Sequence, residues 1–165
     1  MADKQKRITL MFSGIGAWSL ILFAWAYLEH VLYLAPCPLC MMQRLAFFLV
    51  GLMFMIEAIF WPEKPFADLL MKLFKFSAIF LGIGLAARHI WIQNLPPDQI
   101  PACGFDFWGT LDQKGFWGGL LQSMKGTGDC AVPDKFLWFT IPTWSLAAFI
   151  GLLLVAIFCG KNKKH

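Results

Sequence analysis

Two cysteines with two residues between them, Cys37-Pro38-Leu39-Cys40, are the most chemically pointed feature of this 165-residue chain, and Arg44 follows four residues after the second. A bridge closing so short a loop constrains little of the unfolded chain, which makes it a poor structural staple. Redox work suits it better, because strained and exposed disulfides are the labile ones. The motif runs straight into an apolar stretch, so Cys40 is expected at or near a helix N-terminus. Unpaired backbone N–H groups and the helix macrodipole favour a thiolate there. Arg44 falls one turn below Cys40 on the same face, where a fixed cation would favour the thiolate further. A CxxC can also be half of a zinc site, but zinc ribbons want a second close pair. Cys103 and Cys130 have 26 residues between them, so no metal is expected. Nor does the setting match a thioredoxin-type motif, which follows a strand in a soluble βαβ unit.

Cys103 and Cys130 are flanked by turn formers, in Pro101-Ala102-Cys103-Gly104 and Gly126-Thr127-Gly128-Asp129-Cys130. One reading is a loop staple, since closing about 26 residues could contribute several kcal/mol. The other is a second, exposed redox pair that relays electrons between a protein and a membrane-soluble oxidant. The residues alone leave both open. Cys159, close to the C-terminus, reads as a buried, inert thiol.

The elements that must carry these residues are apolar. Hydrophobic residues make up 59% of the chain and charged residues 15%, against roughly a quarter charged in an average soluble domain. Mean hydropathy is +0.63, with 17 Phe and 8 Trp. A soluble globule of this length would lack polar surface to cover its core. Soluble enzyme, disordered chain and nucleic-acid binder are thereby disfavoured, despite a net charge of +4. A helix crosses a bilayer core in roughly 20 apolar residues. Four stretches qualify, at about 8–28, 41–61, 69–92 and 136–160. Glu57 interrupts the second near its end, and Lys72 and Lys75 open the third, where long cationic side chains can reach back to the headgroups. An Ala24-Trp25-Ala26 sequence invites signal cleavage, but the apolar run before it exceeds the usual 7–15 residues, so the segment is expected to stay. The expected fold is an all-α, single-domain membrane bundle of four transmembrane helices.

Positive charge sets the orientation. Lys4, Lys6 and Arg7 precede the first span, Lys64, Lys72 and Lys75 surround the link between the second and third, and Lys161, Lys163 and Lys164 follow the fourth. Four crossings put all three groups on one side, so both termini are expected to be cytoplasmic. The other side receives the Glu29–Pro38 connection and a long loop at about 93–135. In that loop Trp117, Leu120, Leu121 and Met124 recur at helical spacing, suggesting a short amphipathic helix on the membrane surface. Gly115, Gly118 and Gly119 weaken it. Glu29 and His30 read as interfacial polar residues without chemistry.

Taken together, these features resemble the DsbB family of inner-membrane thiol oxidases over essentially the whole chain. The resemblance rests on four spans with cytoplasmic ends, a CxxC opening the second with Arg four residues on, the loop cysteines, Gly128-Asp129-Cys130-Ala131, and Pro142-x-Trp144. Pro38 inside the CxxC is a departure. The resemblance implies a multi-pass protein of the bacterial inner membrane with its cysteine pairs facing the periplasm. It also implies a periplasmic DsbA-like thioredoxin-fold oxidase as partner and ubiquinone or menaquinone as cofactor. That partner would attack a Cys103–Cys130 bridge at Cys103, and the freed Cys130 would attack Cys37. Cys40 would then emerge as a thiolate facing the quinone. Arg44 would hold a quinone carbonyl, and His89 would stand close to the quinone, with Arg88 competing for that role. The alternatives are a non-enzymatic four-span scaffold with structural loop disulfides, and a similar oxidase dedicated to one special thiol client. A scaffold has no use for the short Cys37–Cys40 loop above Arg44.

Overall fold

A computed structural model describes residues 2–61 and 64–160, so the expected cluster Lys161, Lys163 and Lys164 lies outside the described residues. Four of its helices are long and apolar enough to cross a membrane: α1 (Ala2–Phe23), α2 (Pro38–Phe60), α3 (Pro65–Gln93) and α5 (Ile141–Gly160). Helix α1 packs on α2, α2 on α3, α3 on α5, and α5 returns to α1, which closes the bundle. Phe12, Leu22, Phe74 and Phe158 point outward and are mostly exposed, as suits helices whose surroundings are lipid. The inner contacts rest on small residues. A Cβ on Gly51 would meet the Trp18 indole at 2.5 Å, and one on Gly82 would meet the Phe149 ring at 2.3 Å. Phe149 in turn stacks on Phe47 with ring centroids 3.9 Å apart.

Three expectations change. The fourth span begins at Ile141, not Phe136, because Pro142 fits only the first turn of a helix. The apolar residues before it form an antiparallel hairpin instead, β1 (Lys135–Phe136) with β2 (Phe139–Thr140), and Leu137 turns at φ 58°. Lys75 does not reach for the headgroups. It is 1% exposed, and its ammonium donates to the Glu57 carboxylate at 2.6 Å, between the rings of Phe54 and Phe76. The surface helix is longer than expected: α4 (Phe107–Lys125) joins two stretches across Gly115, whose φ of 69° no other residue type adopts freely. Asp106 caps its start by accepting the Gly109 N–H. Leu120 and Met124 pack on the core while Trp117 and Leu121 stay exposed, so the expected stripe straddles the boundary between protein and surroundings.

Candidate active site

Helix α2 begins inside the CxxC. Cys37 is the N-cap, with Pro38 and Leu39 as the first helical positions and Cys40 the third. Proline suits the first position, because the N–H it lacks would be unpaired there anyway and its φ is already helical. The Cys37 sulfur takes the part that serine usually plays, accepting the Cys40 N–H at 3.4 Å. This turn holds the two Sγ atoms 3.2 Å apart. All five cysteines are thiols in this structure.

Cys130 arrives from the outer loop on a short 3-10 turn, Gly128–Ala131, and is buried. Gly128 makes that approach possible. Its N–H donates to the Ala102 carbonyl at 3.2 Å, and a Cβ would lie 2.5 Å from the Pro101 carbonyl and 3.2 Å from the Cys103 sulfur. The exposed Cys103 therefore sits against the loop that carries Cys130. His89 of α3 completes the group, since Cys37 Sγ, Cys130 Sγ and a ring nitrogen of His89 all lie within 4.8 Å of one another. Gln43, one turn below Leu39 on α2, is buried and lies 3.2 Å from His89 Nδ1, while Nε2 faces Cys37 Sγ at 3.8 Å. Arg88 turns away, donating to the Lys125 carbonyl and stacking over Trp91.

The thiol protons are unevenly shared. A hydrogen bond from Cys37 is the main cause bringing the Cys130 thiol down to about 6, helped by backbone bonds from Thr127 and Leu39 and opposed by burial. The hydrogen bonds that Cys37 makes to Cys130 and then to Cys40, together with its burial, push its own thiol far up. In the reduced protein at neutral pH this favours charge on Cys130 and a proton on Cys37.

On the other side of Cys40 opens a cavity of about 590 Å³. Its walls are mostly apolar, with Leu20 and Ile21 from α1, Phe47 from α2, Phe136 and Leu137 from the hairpin, and Trp144 and Ala148 from α5. Cys40, Gln43 and Arg44 supply polar groups on one wall. Arg44 directs its charge to the end of the first span. Its guanidinium pairs with Glu29, so Glu29 is more than the interfacial polar residue expected from its position in the sequence. Glu29 ends a wide π-helical turn, Ala24–Glu29, which continues α1 and also sets Ala24 and Leu28 on the cavity wall. His89 lines the narrow cleft among the cysteines and not this larger cavity. Cys159 is buried at the opposite end of the bundle.

A model of the family described as disulfide bond formation protein DsbB matches residues 6–159. The chain belongs to the DsbB family. Relatives named disulfide bond formation protein B match along most of their length. The one from Saccharophagus degradans is 39% identical over 158 residues, covering 95% of this chain and 94% of the relative. That from Acinetobacter baumannii is 41% identical over 138 residues, with 80% and 78% covered. The Hahella chejuensis protein is 42% identical over 133 residues, with 80% of each covered. Membership in the DsbB family and four apolar helices make this chain a multi-pass inner-membrane protein and a disulfide-generating oxidoreductase.

Proposed function

We propose that this protein is a quinone-dependent dithiol oxidase that reoxidises a periplasmic DsbA-like partner through Cys103, Cys130, Cys37 and Cys40. The observation that carries this reading is the Cys130 sulfur held against Cys37 at the head of α2, with the large cavity on the far side of Cys40. In the oxidised resting protein the partner's thiolate attacks the Cys103–Cys130 bridge at the exposed Cys103. The partner's second thiol displaces Cys103 and leaves with its new disulfide, so two thiols stay behind. Cys130, the one held against Cys37, attacks Cys37 of the inner bridge and expels Cys40 as a thiolate. Cys103 then displaces Cys37 from Cys130, which restores the outer bridge and leaves Cys37 and Cys40 reduced. Their reoxidation releases two electrons and two protons, for which a quinone is the acceptor whose chemistry the cavity fits. Apolar walls suit its ring and tail, and Arg44 and Gln43 offer donors for its carbonyls. Held by Glu29, Arg44 is aimed before any ligand arrives, as a stabiliser of developing negative charge should be.

The energetics require such an acceptor. A DsbA couple stands near about −120 mV, and each 30 mV uphill costs about 1.4 kcal/mol for two electrons, so ordinary protein disulfides cannot drive the transfer. Orientation follows from charge: Lys4, Arg7, Lys64 and Lys72 gather at the end of the bundle away from the CxxC, which supports cytoplasmic termini and periplasmic sulfurs. The test is purified protein with a reduced DsbA-like substrate and ubiquinone or menaquinone in turn, read by quinone absorbance. Turnover is expected with at least one quinone and should vanish in Cys40→Ser. Undiminished turnover in that variant would refute the assignment.

A further inference from the structure

The sulfurs and imidazole at the head of α2 form a set of soft donors that disulfide exchange alone does not require. Cys37, Cys130 and His89 offer three ligand atoms within 4.8 Å of one another, and Cys40 Sγ adds a fourth donor 3.2 Å from Cys37 Sγ. We propose that, with its cysteines reduced, the protein binds one zinc ion through Cys37, Cys40, Cys130 and His89, so that the metal arrests it in the reduced state.

Tetrahedral zinc holds thiolate sulfur at about 2.3 Å and imidazole nitrogen at about 2.0–2.1 Å, which sets ligand-to-ligand edges of about 3.5–3.8 Å. The Cys37–His89 separation of 3.8 Å is already at that edge. The Cys37–Cys40 pair must open and the Cys130 corner must close, each by about 1 Å or less on those bond lengths, and Cys40, which lies outside the 4.8 Å group, must swing toward Cys130 and His89 to take the fourth position. Gln43 lies against Nδ1, and with its amide turned so that Oε1 accepts the Nδ1–H it gives the outer support that metal-bound histidines need and leaves the Nε2 lone pair aimed at the sulfurs. Binding displaces up to three thiol protons and forms three Zn–S bonds and one Zn–N bond, with no change of oxidation state. The oxidised protein lacks the thiolates and cannot form the site. The inference rests on this geometry and not on the quinone reading, so a protein that bound zinc without reducing quinone would sink only the latter.

Full-length protein in detergent, reduced with a phosphine and kept anaerobic, is titrated with Co2+ and then with Zn2+. One Co2+ per chain is expected, with tetrahedral visible bands and sulfur-to-cobalt charge transfer, both lost on addition of Zn2+. Cys130→Ser and His89→Gln should each weaken binding at least about tenfold, a loss of about 1.4 kcal/mol, while Cys159→Ala should bind as wild type. Wild-type affinity in both site variants would mean that the CxxC alone holds the metal, and would overturn the proposal. Alkylation of the unmutated protein provides an arm that needs no variant. Bound Zn2+ should shield Cys37, Cys40 and Cys130 while Cys103 still reacts, and shielding of Cys37 and Cys40 alone would also overturn it.

Discussion

Cys130 and Cys37 divide one task between them. A thiol near 6 is mostly ionised at neutral pH, whereas an ordinary cysteine thiol, near 8.5, is mostly protonated. In the reduced protein the charge therefore lies on the sulfur that arrives from the loop, and the helix-capping sulfur keeps its proton. For reduced protein, the alkylation rate of Cys130, followed by mass spectrometry, should be flat above about pH 7. It should fall about tenfold per unit below about pH 5, with a midpoint near 6. A midpoint above 8 would show that the hydrogen bond from Cys37 does not hold the charge. Arg44 acts at the same scale but on the other side of Cys40. A hydrogen bond from a charged donor contributes roughly 1.5–3 kcal/mol, so Arg44→Met should raise the KM for quinone about tenfold or more. The KM for the thiol partner should barely move, because Arg44 faces the cavity and not the loop. Equal effects on both substrates would remove Arg44 from the quinone's surroundings.

At the scale of elements, α2 is the hub. Its first turn carries both inner cysteines, its next turn Gln43 and Arg44, and its middle meets α1 and α5 through glycine and aromatic contacts. Gly82 of α3 is the tightest of these joints. Phe149 fills the space where a methyl group would go, and that ring is already stacked on Phe47 of α2. Gly82→Ala should push Phe149 out of register and cost about 1–3 kcal/mol, typical of overpacking. A lowered unfolding temperature in detergent would record it, and an unchanged one would mean that the helices part freely. The π-helical turn at the end of α1 works differently. By widening the helix there it brings Glu29 to Arg44 and Leu28 to the cavity wall, in keeping with the frequent occurrence of such turns at functional sites.

Across the whole molecule the chemistry and the anchoring occupy opposite ends. Sulfurs, His89 and the cavity lie at the end where α2 begins, and the buried Glu57–Lys75 pair lies toward the end where α2 finishes. Removing one member of a buried ion pair typically costs about 3–5 kcal/mol, whereas replacing both with apolar side chains of similar size is often neutral. Lys75→Met should therefore lower the unfolding temperature markedly, and Glu57→Met/Lys75→Met should recover most of the loss. Quinone turnover per folded molecule should stay near wild type in both. A double variant as unstable as the single one would show that the charges themselves, not their pairing, are needed.

How much the sequence alone determines follows from the range of the forces involved. Hydrophobic runs, prolines, helix starts and the sorting of lysines are properties of neighbouring residues, so four spans and a CxxC heading the second were legible from composition and spacing. The cysteine pairs and Arg44 stand out on the same local grounds, whereas His89 is reached only through the family resemblance. What stayed hidden depends on how each helix is rotated about its axis, where one residue of slip turns a side chain by about 100°. Glu29 meets Arg44 across 15 residues, Lys75 meets Glu57 across 18, and His89 reaches Cys37 across 52. None of these encounters has a local signature, and Gln43 looks like any polar residue until His89 stands beside it. The gathering of Cys130 with the CxxC had to wait for the loop to fold back, because the spacing of cysteines along a chain does not limit their spacing in space.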